Sequence, residues 1–248
     1  MTRLGLIGSG NMARALAVGW GEPVLATDSG SGRAAALVGD VGGESLGTDN
    51  AALARRAEIL VLCHKPYQLD AVAAQAGDFA GLVVSVLGGV TLAQLRDAYP
   101  GASVSAVMPN TAVEVRHGVS LVAQGSDAPA AVTELFGRLG TVVTLPETVL
   151  GAGTGISGVG PAYVALFAEA WVDAGVRAGL KPADAGALVL GTLAGSAELI
   201  RARDGDTLAV RRGVTSPGGT TARGLRALTD AGLASALHAA MDATTGAS

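Results

Sequence analysis

The 248-residue chain has one cysteine, Cys63, so it cannot form an internal disulfide, and a cysteine-rich metal site is excluded. Its three histidines, His64, His117 and His238, lie far apart and show no metal-ligand spacing. Aromatic residues make up only 3% of the chain, so alanine, valine and leucine must pack the core. Charged residues are 15% against 49% hydrophobic, which excludes disorder as the general state. With 17 Lys and Arg against 21 Asp and Glu, the net charge is −4, and no basic surface is available for a phosphate backbone. No G-x-S-x-G elbow and no Walker lysine loop are present. The N-terminal MTRLGLIGSGNMA lacks a long apolar segment and a cleavage pattern, so no secretory signal is expected. Mean hydropathy is high, at +0.44. The longest uncharged stretch, residues 148–168, carries five glycines and then Pro161, which reads as a loop leading into a helix rather than a membrane span.

What is present alternates. Apolar runs at residues 4–7, 24–27, 59–63, 82–86, 103–107, 119–122 and 142–145 read as strands. Helical segments at 11–20, 33–38, 51–56, 67–75, 92–97 and 128–139 separate them, the third capped by Asp49 or Asn50. Buried strands joined by helices predict an α/β domain over residues 1–150, with a mostly parallel sheet covered on both faces. From Pro161 onward only helices are expected, at 161–178, 182–203, 208–212, 220–229 and 233–243. The second domain is therefore residues 151–248, all α, beyond a short hinge near Gly151. Its helices are apolar on several faces, so a second subunit is expected to cover them, with Gly191 and Gly195 admitting a partner helix.

Four constellations carry chemistry. Gly8-Ser9-Gly10-Asn11-Met12-Ala13 is a G-x-G-x-x-A between a strand and a helix. Gly8 permits the turn, Gly10 lets a diphosphate touch the backbone, and Ala13 lets helix and strand pack closely. Asp28 follows strand two and can accept both ribose hydroxyls, favouring NAD, or cap the next helix. Ser29, Ser31 and Arg33 could instead hold a 2′-phosphate. His64-Lys65-Pro66 ends a buried strand, where ligands lie in parallel sheets; Lys65 is a candidate acid or a solvated strand-end lysine, and His64 a packing residue. Ser216-Pro217-Gly218-Gly219-Thr220-Thr221 precedes a helix, and its N–H groups and hydroxyls suit a carboxylate or merely cap the helix.

Taken together, LIGSGNMA, TDN at 48–50, LCHKP at 62–66, SVLGGV at 85–90, VMPNT at 107–111, SGVGPAY at 157–163, DAGVRAGL at 173–180 and SPGGTT at 216–221 resemble the pyrroline-5-carboxylate reductase family over nearly the whole length. The resemblance implies an N-terminal Rossmann domain and an all-α C-terminal dimerisation domain, with the active site between subunits. It implies NAD(P)H-dependent reduction of a cyclic imino acid to L-proline, no metal, no nucleic-acid or membrane partner, and a cytoplasmic homodimer or a higher oligomer of dimers. Gly8, Ser9, Gly10, Asn11 and Met12 would cradle the diphosphate. Asp28, Ser29 and Asn50 would lie by the adenosine, His64, Lys65 and Pro66 in the cofactor loop, and Gly88 beside the nicotinamide. Ser216, Gly218, Gly219 and Thr220 would hold the substrate carboxylate, and Thr221 the imine nitrogen. The chain departs from the family pattern at Ala106, Ala112, Val159 and Asp28, where arginine, proline, serine and asparagine are usual. A reductase of another cyclic imine and a non-catalytic nucleotide sensor are the competing expectations.

Overall fold

The computed structural model describes residues 3–246. The chain divides into two compact units, Met1–Pro161 and Ala162–Ser248. In the first, β1 (Leu4–Ile7), β2 (Val24–Thr27), β3 (Gly43–Ser45), β4 (Ile59–Leu62), β5 (Leu82–Ser85), β6 (Ser103–Pro109), β7 (Gly118–Ala123) and β8 (Gly140–Leu145) form one sheet. Its order is β3-β2-β1-β4-β5-β6-β7-β8. All pairings are parallel except β6 with β7. The helices between are α1 (Asn11–Trp20), α2 (Arg33–Val41), α3 (Asn50–Ala54), α4 (Leu69–Ala76), α5 (Leu92–Ala98) and α6 (Pro129–Gly137). After β3 the chain returns to the far side of β1, so the carboxyl ends of β1 and β4 flank a switch point where a crevice must open.

Alternation along the buried strands sends side chains into two cores. Leu4, Leu6 and Val61 join Leu16, Trp20 and Phe136 on one face. Ile7, Leu60 and Leu62 join Leu53, Leu95 and Tyr99 on the other. Trp20 meets Phe136 edge to face, with centroids 5.9 Å apart, and its indole N–H donates to the Leu135 carbonyl at 3.0 Å. The third helix is capped by Asp49, whose carboxylate accepts from the Ala52 N–H at 2.8 Å.

Two expectations are corrected. The edge strand β3 is polar and only three residues long, so no apolar run announces it. The glycine-rich stretch read as a loop is a helix, α7 (Leu150–Ser157). A side chain at Gly153 would strike Leu121 Cδ1 at 2.7 Å and Leu145 Cδ1 at 2.9 Å. Glycine is there so that the helix can lie directly on β7 and β8, and that packing overrides its poor helix propensity. Asn110 secures the helix, donating from Nδ2 to the Ser157 carbonyl at 3.0 Å. With α7 docked in this way, the division falls at Pro161 and Ala162 rather than at a hinge near Gly151.

The second unit holds most of α8 (Gly160–Arg177), then α9 (Pro182–Arg201), α10 (Thr207–Gly213), α11 (Thr220–Asp230) and α12 (Leu233–Thr245). Only Ala185 and Val189 are buried within its helices, whereas Leu166 and Leu190 are about two-thirds exposed, at 66% and 63%. Within the chain, α8 and α9 approach at Gly175, where an added Cβ would touch Ala185 Cβ at 3.3 Å, while Gly191 and Gly195 meet nothing within 4 Å and are open to a partner helix. The helical stretches Glu147–Arg177 and Pro182–Arg201 are each long and apolar enough to cross a bilayer by length and composition.

The tightest point of the first core is Gly19 on α1. A methyl there would overlap the Val113 carbonyl oxygen and reach Leu139 Cδ2 at 2.8 Å. Gly19→Ala is expected to destabilise the fold by about 1–3 kcal/mol, as overpacked cores do. A lowered urea-unfolding midpoint is the expected measurement, and an unchanged midpoint would contradict this packing.

Candidate functional site

At the switch point the backbone runs close. The Gly8 N–H donates to the Thr27 carbonyl at 3.1 Å, tying the end of β1 to the end of β2. Gly8 has φ +96°, and a Cβ on it would lie 2.7 Å from the His64 nitrogen. Only glycine satisfies both conditions. Gly10 then starts α1 with no side-chain cap, so the first amides of the helix are left for an outside acceptor.

These groups border a cavity of about 330 Å³ lined by Gly8, Ser9, Gly10, Asp28, Ser29, Asn50, His64 and Lys65 among others. Eight expected cofactor residues therefore meet at one crevice. Asn11, Met12, Pro66 and Gly88 do not line it. Asn11 and Met12 form the first turn of α1, Pro66 opens a short 3-10 turn ahead of α4, and Gly88 is exposed beyond the end of β5.

A polar chain forms the cavity wall. The Ser9 hydroxyl donates to the Thr27 carbonyl at 2.9 Å, the Thr27 hydroxyl to Asn50 Oδ1 at 2.6 Å, and Asn50 Nδ2 to Gln75 Oε1 at 2.6 Å. Asn50 is thus oriented from both ends. Thr27 and Gln75 were not legible as site residues: one reads as a strand residue, and the other lies on α4, far away in sequence. Asp28 is more occupied than its position suggests. Its carboxylate accepts from the N–H groups of Gly30, Ser31 and Ala34 and from the Ser31 hydroxyl. Desolvation raises its pKa, but the bonds from Ala34, Gly30 and Ser31 outweigh this and hold it below the ordinary carboxylate value. Its geometry is that of the helix-capping alternative, and its lone pairs are not turned out for ribose hydroxyls.

His64 Nδ1 lies 2.9 Å from the Lys65 carbonyl, and its buried Nε2 has no partner among the described residues. Burial lowers its pKa against the opposing effect of that backbone bond, so the ring is neutral at pH 7. With Nδ1 donating, Nε2 is left as an acceptor. Among the described residues no cluster of His, Cys, Asp and Glu could hold a metal ion.

In the second unit, Ser216–Thr221 form a turn closed by the Gly219 N–H donating to the Ser216 carbonyl at 3.0 Å. Gly218 has φ +68°, and an added Cβ at Gly219 would collide with Ser216 Oγ. Gly219 starts α11 without a side-chain cap, leaving the amides of Thr220 and Thr221 open. Arg223 braces the turn, donating to the Gly218 carbonyl at 2.9 Å and to Thr220 Oγ1 at 3.4 Å. Sequence reasoning missed Arg223; its position one helical turn along from Thr220 was the available signal.

A glycine turn on a parallel sheet, opening onto an uncapped helix, defines a dinucleotide-binding fold, and the second unit adds an uncapped helix start suited to an anion. Residues 3–89 match the family described as NADP oxidoreductase, coenzyme F420-dependent. Residues 147–248 match pyrroline-5-carboxylate reductase dimerisation. The chain is 40% identical over 201 residues to the pyrroline-5-carboxylate reductase of Synechocystis, covering 79% of this chain and 75% of the relative. It is 33% identical over 248 residues to that of Methanosarcina acetivorans, covering 94% and 92%. The crystal structure of Plasmodium falciparum pyrroline carboxylate reductase with NADP bound superposes with a TM-score of 0.85 at 28% identity, covering 99% and 96%. The chain belongs to the pyrroline-5-carboxylate reductase family.

Cys63 borders the cavity, and burial pushes its thiol up to about 12. It is therefore not a nucleophile at neutral pH. Alkylation by iodoacetamide at pH 8 should be slower in the native protein than in the urea-unfolded chain by on the order of a hundredfold. Equal rates would show a reactive thiolate instead.

Proposed function

We propose that the protein reduces 1-pyrroline-5-carboxylate to L-proline with NADH or NADPH, the last step of proline synthesis. The observation that carries this reading is the pairing, in one chain of this family, of the Gly8 turn with the uncapped Ser216–Thr221 turn. The cavity fits a dinucleotide, because Gly8 leaves no Cβ in it and the first amides of α1 are free for a diphosphate. Gly8 to Met12 would hold the diphosphate. Asp28, Ser29 and Asn50 would line the adenosine end, and His64, Lys65, Pro66 and Gly88 the approach to the nicotinamide. A bound reduced nicotinamide supplies the hydride.

The remaining work falls to the second unit. Ser216 and the amides of Gly218 to Thr221 would hold the substrate carboxylate at the positive end of α11. Among the described residues the Thr221 hydroxyl makes no internal hydrogen bond and is free to meet the imine nitrogen. Protonation of that nitrogen makes the adjacent carbon more electrophilic, so a hydroxyl that orients it and relays a proton from water assists reduction without a strong side-chain acid. The first unit thus serves the cofactor, and the second the substrate and self-association. The exposed apolar faces of α8 and α9 are covered by a second copy in a homodimer or a higher assembly of dimers. A cytoplasmic location suits a chain whose one cysteine is a free, partly buried thiol.

The test is a steady-state assay. Loss of reduced nucleotide absorbance should require 1-pyrroline-5-carboxylate and yield proline; oxidation independent of the imine would refute the reading. Thr221→Ala should lower kcat by about tenfold or more, equivalent to about 1.4 kcal/mol, with cofactor affinity retained. Wild-type kcat in that variant would remove Thr221 from the chemistry.

A further inference from the structure

We propose that Asp28 makes this protein prefer NADH to NADPH, by filling with its own carboxylate the set of donors that a 2′-phosphate would need. This deepens the functional reading above and rests on the assignment of the β1–β2–β4 cavity to a nicotinamide dinucleotide.

Asp28 directly follows β2, and the chain folds round its carboxylate. One oxygen accepts from the Gly30 N–H at 2.6 Å and the Ser31 N–H at 3.0 Å; the other accepts from the Ala34 N–H at 2.8 Å and the Ser31 hydroxyl at 3.3 Å. A carboxylate offers about four lone-pair sites, and all four are used. The loop that achieves this needs left-handed backbone at Gly30, φ +92°, and Gly32, φ +77°. Together these donors form an anion cradle at the start of α2, and the anion in it is covalently part of the chain.

This arrangement decides between the two ways of reading the loop. Ser31 offers both a hydroxyl and an amide to a phosphate, but both are already given to Asp28. Arg33 lines the same cavity and makes no ion pair among the described residues. It is exposed and held by no hydrogen bond among the described residues, so it is not prepositioned for a phosphate, whereas four bonds fix Asp28. Asp28 is fixed and ionised on the cavity wall. A phosphate entering beside it would meet like charge with the neutralising donors already spent, whereas the neutral ribose hydroxyls of NADH meet no such penalty. The discrimination therefore acts by exclusion and does not need a direct bond from Asp28 to the ribose.

The experiment measures equilibrium dissociation constants of NADH and NADPH by calorimetry, without substrate, for the wild type, Asp28→Ala and Asp28→Asn. The wild type should bind NADH at least tenfold more tightly. Asp28→Ala should shift the ratio of the two affinities toward NADPH by at least tenfold. Asp28→Asn keeps one acceptor oxygen for the loop but removes the charge, and should shift the ratio in the same direction by less. Far-ultraviolet circular dichroism should match the wild type in at least the Asn variant, so that the shift is not read from an unfolded loop. The inference is overturned, with the functional reading intact, if the wild type binds NADPH as tightly as NADH. It is likewise overturned if both variants change the two affinities in parallel. If neither nucleotide binds the wild type, this inference and the functional reading fall together.

Discussion

The contact on which the site depends is a backbone one: Gly8 wedged between the ends of β2 and β4. Its N–H is held by the Thr27 carbonyl, and the space where a side chain would stand is taken by the backbone of Cys63 and His64. That approach lets three parallel strands end at one level while the chain turns sharply into α1. The cavity, the exposed amides of the helix start and the placing of His64 all follow from it. A larger residue would push apart the strands whose ends make the crevice.

Around that wedge the polar groups are largely accounted for inside the protein. Ser9, Thr27, Asn50 and Gln75 form a chain that orients Asn50 without help from a ligand. The donors of the loop after β2 converge on Asp28. What is left unsatisfied there is therefore informative: the first amides of α1 and Nε2 of His64. Buried or preformed groups without partners carry a standing cost, and a ligand that supplies the partner relieves it. The cavity is preorganised at its walls and leaves these groups free.

The second unit obeys a different constraint. Its helices expose leucine, valine and tryptophan over much of their surface and bury few side chains among themselves. Two helical stretches are apolar enough to pass as membrane spans by composition. The same residues match a dimerisation family, which points to an oligomer. The part of the chain with large apolar side chains on its surface is thus the part that matches the dimerisation family.

Much of this was legible in the residues themselves. Apolar runs interrupted by glycine and helical periods marked seven of eight strands, most plainly β1, β4 and β5, whose buried positions are nearly all apolar. Gly8 announced the turn, since its left-handed φ of +96° is one that side-chain-bearing residues rarely adopt, and Gly218, with φ +68°, marked the turn ahead of the last-but-one helix in the same way. The tertiary structure alone decided matters that turn on distant partners. It made a helix of Leu150–Ser157, with Gly153 packed against Leu121 and Leu145. It brought Gln75 to Asn50 across 25 residues of chain, whereas Arg223 and the donors around Asp28 are near neighbours in sequence whose local fold chose among several readings. Local chemistry is written along the chain, where neighbours are known. The direction a side chain faces is set by groups that only folding brings near.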